Sequence, residues 1–455
     1  MKPSIAEIAD ALGCSFQETE YRAIGGVAID SRQVKAGDLF VAIVGENTDG
    51  HRYLQQAWQA GAAAVVISKE EYILPEMNYL LVEDGVAFIQ QLAKYLRQID
   101  NLPVVAVTGS TGKTSTKDLL TSILSMTGKI VATKGNHNNE LGLPLTMCAI
   151  EEETTAVVVE MGMRGLGQID FLCQLAAPNY GIITNIGKVH SELLGSQEKI
   201  AQAKCELLAY IPQEGTIALN WQDREWILPW LDTCRGKVFW YSLVAGQGDL
   251  WAENIVESAT ETVYDLCWGE ERHTIKLNVP GQHQVANSMA AIAIARTLGV
   301  SWENIKDALQ NLQMTGMRLD IGRDKRGVTW INDTYNANPE SVKAALQVLQ
   351  NQAGQRKIAV LGDMYELGRY EQEGHQEVGQ KAVKLGIDYL VAVGNLGKII
   401  AEKAKTLEGH TVITWAEDNK QAIAHLEQLL QQGDVVLVKG SRGMAMEEII
   451  EKFMG

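Results

Sequence analysis

Short apolar runs rich in β-branched residues alternate with longer stretches of helical period along most of the chain, the pattern of repeated strand–helix units. Gly26–Ile29, Leu39–Val44 and Ala63–Ile67 read as strands, with a helix expected over His51–Ala60 between the last two. Ile89–Ile99 is amphipathic and runs into Asn101-Leu102-Pro103, a helix stop and a boundary. A strand from Val104 opens the next region, and two further runs, Thr155–Glu160 and Gly181–Ile186, show little polar alternation, as strands covered on both faces of a parallel sheet do. A helical pattern spans Gln284–Leu298. Beyond Gln313 come Ile358–Leu361, Tyr389–Val393 and Val435–Val438, each ending at or near Gly, with helices expected over Gln372–Leu385 and Lys420–Gln431. The segment Trp221–Thr274, rich in Trp, Gly and β-type residues, follows neither period cleanly. No internal repeat or low-complexity linker interrupts the chain.

The expected fold class is therefore α/β in three domains. These are a small α/β unit over residues 1–100, a central P-loop parallel-sheet unit over 101–312, and a Rossmann-like unit over 313–455. A length of 455 residues is more than one core usually serves. Hydrophobic residues at 46% and charged residues at 21% suit a folded protein. The formal charge of −16 argues against a general nucleic-acid surface, though not against a local basic pocket for a small anion. The start of the chain carries Glu7 and Asp10 and no basic, then apolar, leader; no apolar run is long enough to span a bilayer. Cys14, Cys148, Cys173, Cys205, Cys234 and Cys267 are scattered without a C-x-x-C pair, which reads as reduced thiols in a cytoplasmic protein.

The strongest chemical signal follows the strand Val104–Val107. Thr108-Gly109-Ser110-Thr111-Gly112-Lys113-Thr114-Ser115 is a glycine loop that opens a helix. Glycines let backbone N–H groups close around phosphate oxygens, and the helix N-terminus adds partial positive charge. Lys113 is placed to reach terminal phosphates and Thr114 to put its hydroxyl on Mg2+. Val107 stands where the usual spacing has its first glycine, so the loop is the shorter G-x-x-G-K-T. ATP is the expected nucleotide.

Other polar clusters sit at strand ends. Glu160 closes the second buried-type strand, where a metal-binding carboxylate or a plain surface residue could stand. Asn185-Ile186-Gly187-Lys188-Val189-His190 puts an imidazole after the third, either structural or a metal ligand. Lys134-Gly135-Asn136-His137-Asn138-Asn139-Glu140 reads equally as a solvated turn or a site wall.

Taken together, Thr108–Thr114, Glu160, Asn185 with His190, and Ala203-Lys204 resemble the Mur ligase family of peptidoglycan synthesis. The resemblance covers the whole chain. It includes Asp30-Ser31-Arg32, Gly37–Ala42 and Asp49-Gly50-His51 in the first region, then Pro280-Gly281-Gln282-His283 with Asn287, Gly316-Met317-Arg318 and Asp333-Thr334-Tyr335-Asn336-Ala337-Asn338-Pro339. Leu361-Gly362-Asp363-Met364 and Lys439-Gly440-Ser441-Arg442-Gly443-Met444 complete it.

The resemblance implies an ATP-dependent amide ligase with UDP-precursor, ATP-binding and C-terminal domains. The Lys134–Glu140, Tyr335–Pro339 and Lys439–Met444 runs point to the branch that joins D-alanyl-D-alanine to UDP-N-acetylmuramoyl-tripeptide. Another Mur-type acceptor, or a folylpolyglutamate synthase-like ligation, is the alternative. By the same resemblance Thr114 and Glu160 hold one Mg2+, and His190 helps hold a second with Glu160. Lys204 matches a lysine carried as a carbamate. Lys113 and Arg318 stabilise the transferring phosphoryl group, His283 and Asn287 lie near adenine, and Asp333 binds ribose. Ser31 and Arg32 face uridine. Asn138 and Asn139 line the nucleotide–metal side or the muramoyl-peptide side, and Lys439 and Arg442 contact the dipeptide or the growing peptide. A monomer without nucleic-acid or membrane partners is the expected form.

Overall fold

The computed structural model describes residues 3–46, 48–99, 101–187, 191–314 and 316–454, with Ser191 described in its backbone alone. Among the described residues the strands form three sheets, of five, nine and six strands.

The first sheet holds β1 (Ser15–Gln17), β2 (Gly26–Ala28), β3 (Asp38–Val41), β4 (Ala64–Ile67) and β5 (Tyr79–Leu81) in the order β1-β5-β4-β3-β2. It is parallel apart from the β1–β5 pair. The expected strand to Val44 stops at Val41, because Val44 turns away into an isolated bridge with Asp49. The helix expected over His51–Ala60 is a 3-10 turn, Gly50–Tyr53, leading into a helix over Leu54–Gln59. Helix Gly85–Ile99 closes this region, its apolar face on Phe88, Ile89, Leu92 and Ala93.

The second sheet contains β6 (Val104–Thr108), β7 (Lys129–Ala132), β8 (Thr154–Glu160), β9 (Tyr180–Ile183), β10 (Thr216–Asn220), β11 (Lys237–Ser242), β12 (Leu250–Glu257), β13 (Thr262–Trp268) and β14 (Glu271–Leu277). Its order is β14-β13-β12-β11-β10-β9-β6-β8-β7. The sheet is parallel from β7 through to β12, as expected, and β12, β13 and β14 extend it as an antiparallel edge. This is the Trp-rich segment. Buried positions in these strands are interspersed with partly or fully exposed ones, so they do not read as continuous apolar runs.

Strand alternation sends the residues of β6 to two cores. Val104 and Ala106 face an apolar cluster continuous with Leu39, Val41 and Leu92 of the first region. Val105 and Val107 face a second cluster under helices Lys113–Leu124 and Gln282–Thr297.

The third sheet comprises β15 (Asp320–Arg323), β16 (Thr329–Asn332), β17 (Lys357–Leu361), β18 (Tyr389–Val393), β19 (Val412–Ala416) and β20 (Val435–Lys439), in the order β15-β16-β20-β17-β18-β19. Only β15 pairs antiparallel. Among the described residues no helix is long and apolar enough to cross a membrane.

Candidate active site

β6 lies between β9 and β8, so Thr108, Ile183 and Glu160 end side by side at one edge of the central sheet. Polar groups collect at that edge because helices cover both faces and leave only the strand ends open. The chain leaves β6 through Gly109, at φ 149°, and enters helix Lys113–Leu124 through Gly112, at φ 78°. At Gly112 a Cβ would stand 2.6 Å from the Asn287 side-chain oxygen, and at Gly109 it would collide with the Thr184 hydroxyl. The loop is thus held by neighbours that tolerate no side chain. Asn185 fixes its curvature: Oδ1 accepts from Thr111 N at 3.0 Å, and Nδ2 donates to Thr111 Oγ1 at 2.7 Å. Gly187 N donates to Ser110 Oγ at 2.8 Å.

Lys113 folds back, its Nζ donating to Gly109 O at 2.9 Å. Burial pulls its proton affinity below the usual lysine range. Glu160 and Glu366 oppose that shift and Arg318 adds to it. Thr114 Oγ1 donates to Glu160 Oε2 at 2.6 Å, while Asn138 Nδ2 donates to Glu160 Oε1 at 2.8 Å. Glu160 is 3% exposed, and its own backbone N–H is held by Thr133 Oγ1 at 2.9 Å. A hydroxyl and a carboxylate side by side at a P-loop are hard oxygen donors that fit Mg2+.

The third region completes the site. Arg318 Nη2 donates to Thr114 Oγ1 at 2.9 Å, and its guanidinium lies 4.0 Å from the centre of the Tyr335 ring. Arg318 is flanked by two left-handed residues, Met317 at φ 62° and Leu319 at φ 52°, a kinked approach that aims the side chain back at the central sheet. Asp333 follows β16, and its Oδ2 lies 2.6 Å from Lys439 Nζ at the end of β20. Lys439 also donates to Asn336 O at 2.8 Å. Its ammonium is therefore committed to holding the Asp333 loop. Arg442 pairs with Glu447 Oε1 at 2.7 Å and keeps more than half its side chain in water.

These groups line one cavity of about 1600 Å³ between the central and third sheets. Ser110–Ser115, Asn138, Asn139, Glu160, His283, Asn287, Arg318, Asp333, Lys439 and Arg442 all border it. His283 is half-buried there. Burial drives its pKa down to about 4, Asp333 opposing and Lys439 reinforcing, so the imidazole is neutral at physiological pH. Asn138 reaches the carboxylate, whereas Asn139 turns to the start of helix Gly142–Cys148, accepting from Gly142 N at 2.9 Å.

Lys204 lies in helix Gln197–Cys205 and is 1% exposed. No described side chain pairs with it. Burial, reinforced by the charge of Lys113, pushes its proton affinity well below the usual value. Carbamate formation needs an uncharged amine, and the shift runs in that direction. His190 lies outside the described residues. Ser31 and Arg32 do not border the cavity: Ser31 Oγ donates to Gln56 Oε1 at 3.0 Å, and the exposed Arg32 pairs with Asp30 at 2.7 Å. The first region reaches the cavity through Gln90, whose Nε2 donates to Glu140 O at 2.9 Å.

Sequence reasoning had not singled out Tyr335, Asn185 or Glu366 as site residues. The first two sit inside runs already noted as unusual. Glu366 carries no local signal, since its place depends on how the third region docks.

Fold and site together define an α/β P-loop nucleotide-binding protein whose site is closed by a second, Rossmann-like sheet. The chain belongs to the Mur ligase family. Residues 23–99 match the Mur ligase family catalytic domain, 107–295 the Mur ligase middle domain, and 317–442 the Mur ligase glutamate ligase domain. It is 37% identical to the UDP-N-acetylmuramoyl-tripeptide–D-alanyl-D-alanine ligase of Bacillus subtilis (strain 168), over 99% of this chain and 98% of that one. Among solved structures, MurF from Acinetobacter baumannii superposes with a TM-score of 0.86 at 30% identity, covering 99% of this chain and 98% of that one. The MurF ligase of Thermotoga maritima in complex with ADP superposes with a TM-score of 0.79 at 27% identity, covering 95% and 97%.

Proposed function

We propose that the protein is an ATP-dependent amide ligase that joins D-alanyl-D-alanine to UDP-N-acetylmuramoyl-tripeptide in cytoplasmic peptidoglycan precursor synthesis. The observation that carries this reading is the meeting of Thr114, Glu160 and Arg318 in one cavity, in a chain alike from end to end to ligases of that name. Residues 1–100, 101–312 and 313–455 would serve as the UDP-precursor, ATP and C-terminal domains.

A carboxylate is a poor electrophile, so it is first activated. The terminal carboxylate of the tripeptide attacks the γ-phosphorus of ATP, the bond to the bridging oxygen breaks, and ADP leaves. The free amine of D-alanyl-D-alanine then attacks the acyl phosphate carbon. The tetrahedral intermediate expels phosphate, and the amine nitrogen loses its proton.

Charge on the transferring group is the main demand of the first step, and preorganised cations meet it. Lys113 and Arg318 would supply that charge, and the backbone N–H groups of Gly109–Ser115 would close around the β- and γ-phosphates. Mg2+ held by Thr114 and Glu160, with His190 and a carbamylated Lys204 at a second ion, would neutralise phosphate charge. Asp333, oriented by Lys439, is suited to a ribose hydroxyl, and His283 and Asn287 to the base side. Ser31 and Arg32 are assigned to the uridine, Asn138 through its bond to Glu160 to the nucleotide–metal side, Asn139 to the wall beside it, and Arg442 nearer the peptide.

The test is phosphate release and product mass with ATP, UDP-N-acetylmuramoyl-tripeptide and D-alanyl-D-alanine, each omitted in turn. Turnover should need all three. Faster turnover with L-lysine, meso-diaminopimelate or glutamate as amine, on the matching shorter precursor, would move the chain to another acceptor class. Tripeptides ending in L-lysine and in meso-diaminopimelate, run in parallel, identify the natural precursor.

A further inference from the structure

The third region meets the central one at a second place, apart from Arg318. The chain leaving β17 is anchored in the third core: Leu367 is 1% exposed, Met364 N donates to His375 Nε2 at 3.0 Å, and Tyr365 N donates to Ser441 Oγ at 2.9 Å. From these anchors it is bent outward by two left-handed residues, Glu366 at φ 63° and Gly368 at φ 49°. Glu366 borders the cavity, and its Oε1 lies 3.5 Å from Arg164 Nη2, on the loop that follows β8.

Gly368 goes further. A Cβ at that position would stand 2.5 Å from Glu192 Cα, 2.8 Å from Glu192 N and 3.0 Å from Glu192 Cβ. The obstacle is mainly backbone, which no rotamer change removes. Glu192 belongs to the short helix Ser191–Leu194, on the segment that leaves β9 and passes Gly187, itself bonded to the P-loop through Ser110.

We infer that Gly368 is a positioning residue for the ligation. Its bare backbone seats the third region against Glu192, and that seat sets how closely Arg318 and Asp333 approach the P-loop. An alanine there meets two obstacles, an unfavourable φ and a collision that ordinary contact distances relieve only by a separation of about 1 Å. A displacement of that size at a phosphoryl-transfer site typically costs about a hundredfold in rate. The inference rests on the ligase reading above.

The test compares Gly368→Ala with Gly299→Ala in the full-length protein. Gly299 is also left-handed, at φ 85°, but has nothing within 4 Å of its Cβ position, so it isolates backbone strain from collision. The readouts are ligation kinetics, thermal melting, and small-angle scattering with ADP and UDP-N-acetylmuramoyl-tripeptide. Gly368→Ala should melt close to Gly299→Ala and lose about a hundredfold in kcat. KM for the UDP-precursor should be nearly unchanged, and the ligand-bound particle should be larger than the parent's. Two results would overturn the inference. One is kcat equal to that of Gly299→Ala. The other is a loss of kcat with much lower melting and scattering that matches the parent, which would make the contact part of the folded core. An inactive parent would instead overturn the ligase reading.

Discussion

Arg318 donates from Nη2 to the Thr114 hydroxyl at 2.9 Å across 204 residues of chain, and that hydroxyl in turn donates a hydrogen bond to Glu160. One hydroxyl therefore links the P-loop, the carboxylate at the end of β8 and the segment that leads into the third sheet. Arg318→Lys should lose roughly 10- to 100-fold in kcat, because an ammonium cannot both lie flat on Tyr335 and donate to Thr114. Melting within a few degrees of the parent checks that the loss is chemical. Turnover equal to the parent's would show that the contact is incidental.

Tyr335 presents its ring to the guanidinium at 4.0 Å and donates its backbone N–H to Met317 O at 3.2 Å. Removing the ring while keeping the backbone separates these effects. Tyr335→Phe should stay near parent activity. Tyr335→Leu should lose about 1 kcal/mol of orientation, roughly fivefold in kcat. Equal kinetics in the two variants would mean that stacking does not orient Arg318.

Lys113→Ala should abolish ligation while leaving the fold intact. Loss of a fixed cation at the transferring phosphoryl group typically costs about 3 kcal/mol or more. The fold should tolerate the change, since burial already disfavours this ammonium. Turnover at saturating ATP, beside a melting curve, is the measurement, and near-normal turnover would remove the P-loop assignment.

Lys204→Ala should be nearly inactive, with activity returning in part when a short carboxylate such as acetate or formate is added. The parent should show a carbamate carbon signal when supplied with labelled bicarbonate, and the variant should lack it. Wild-type turnover in Lys204→Ala would reduce the residue to a buried helix lysine.

Asp223 gives a pH test independent of the nucleotide. It accepts from Ile186 N at 3.1 Å, and burial raises its carboxyl from 3.8 to about 6. The folded state therefore binds a proton the unfolded chain has released between those values. Stability from this group falls as pH rises through about 6. Asp223→Asn keeps an acceptor for Ile186 and carries no charge. It should be more stable than the parent at pH 7 by about 1–2 kcal/mol, less than the full shift because the carboxylate keeps some water contact. The advantage should shrink as pH falls towards 4. A gap in melting temperature that is constant from pH 7 to pH 4 would refute it.

Much of the site was legible before any tertiary information because its signals are local. A P-loop is built from backbone N–H groups of consecutive residues, so Gly109, Gly112, Lys113 and Thr114 announce it in order. Glu160 was readable as a strand-end carboxylate because buried parallel strands are near-continuous apolar runs that stop where the sheet edge opens. The same property exposed β6, β8, β17, β18 and β20. β12–β14 were hidden because buried positions in them are interspersed with partly or fully exposed ones, which breaks up the apolar run.

The sequence by itself determined the strand–helix alternation, the phosphate loop and, through ordered motifs, the family, since these depend on residues near one another in the chain. Only the tertiary structure decided which distant side chains meet. It placed Arg318 on Thr114, committed Lys439 to Asp333, took Lys204 out of water and set Gly368 against Glu192. The physical reason is that burial, field and contact distance belong to the packed arrangement of three sheets. A lysine on a solvated helix and a lysine 1% exposed behind a P-loop have the same letter and different chemistry.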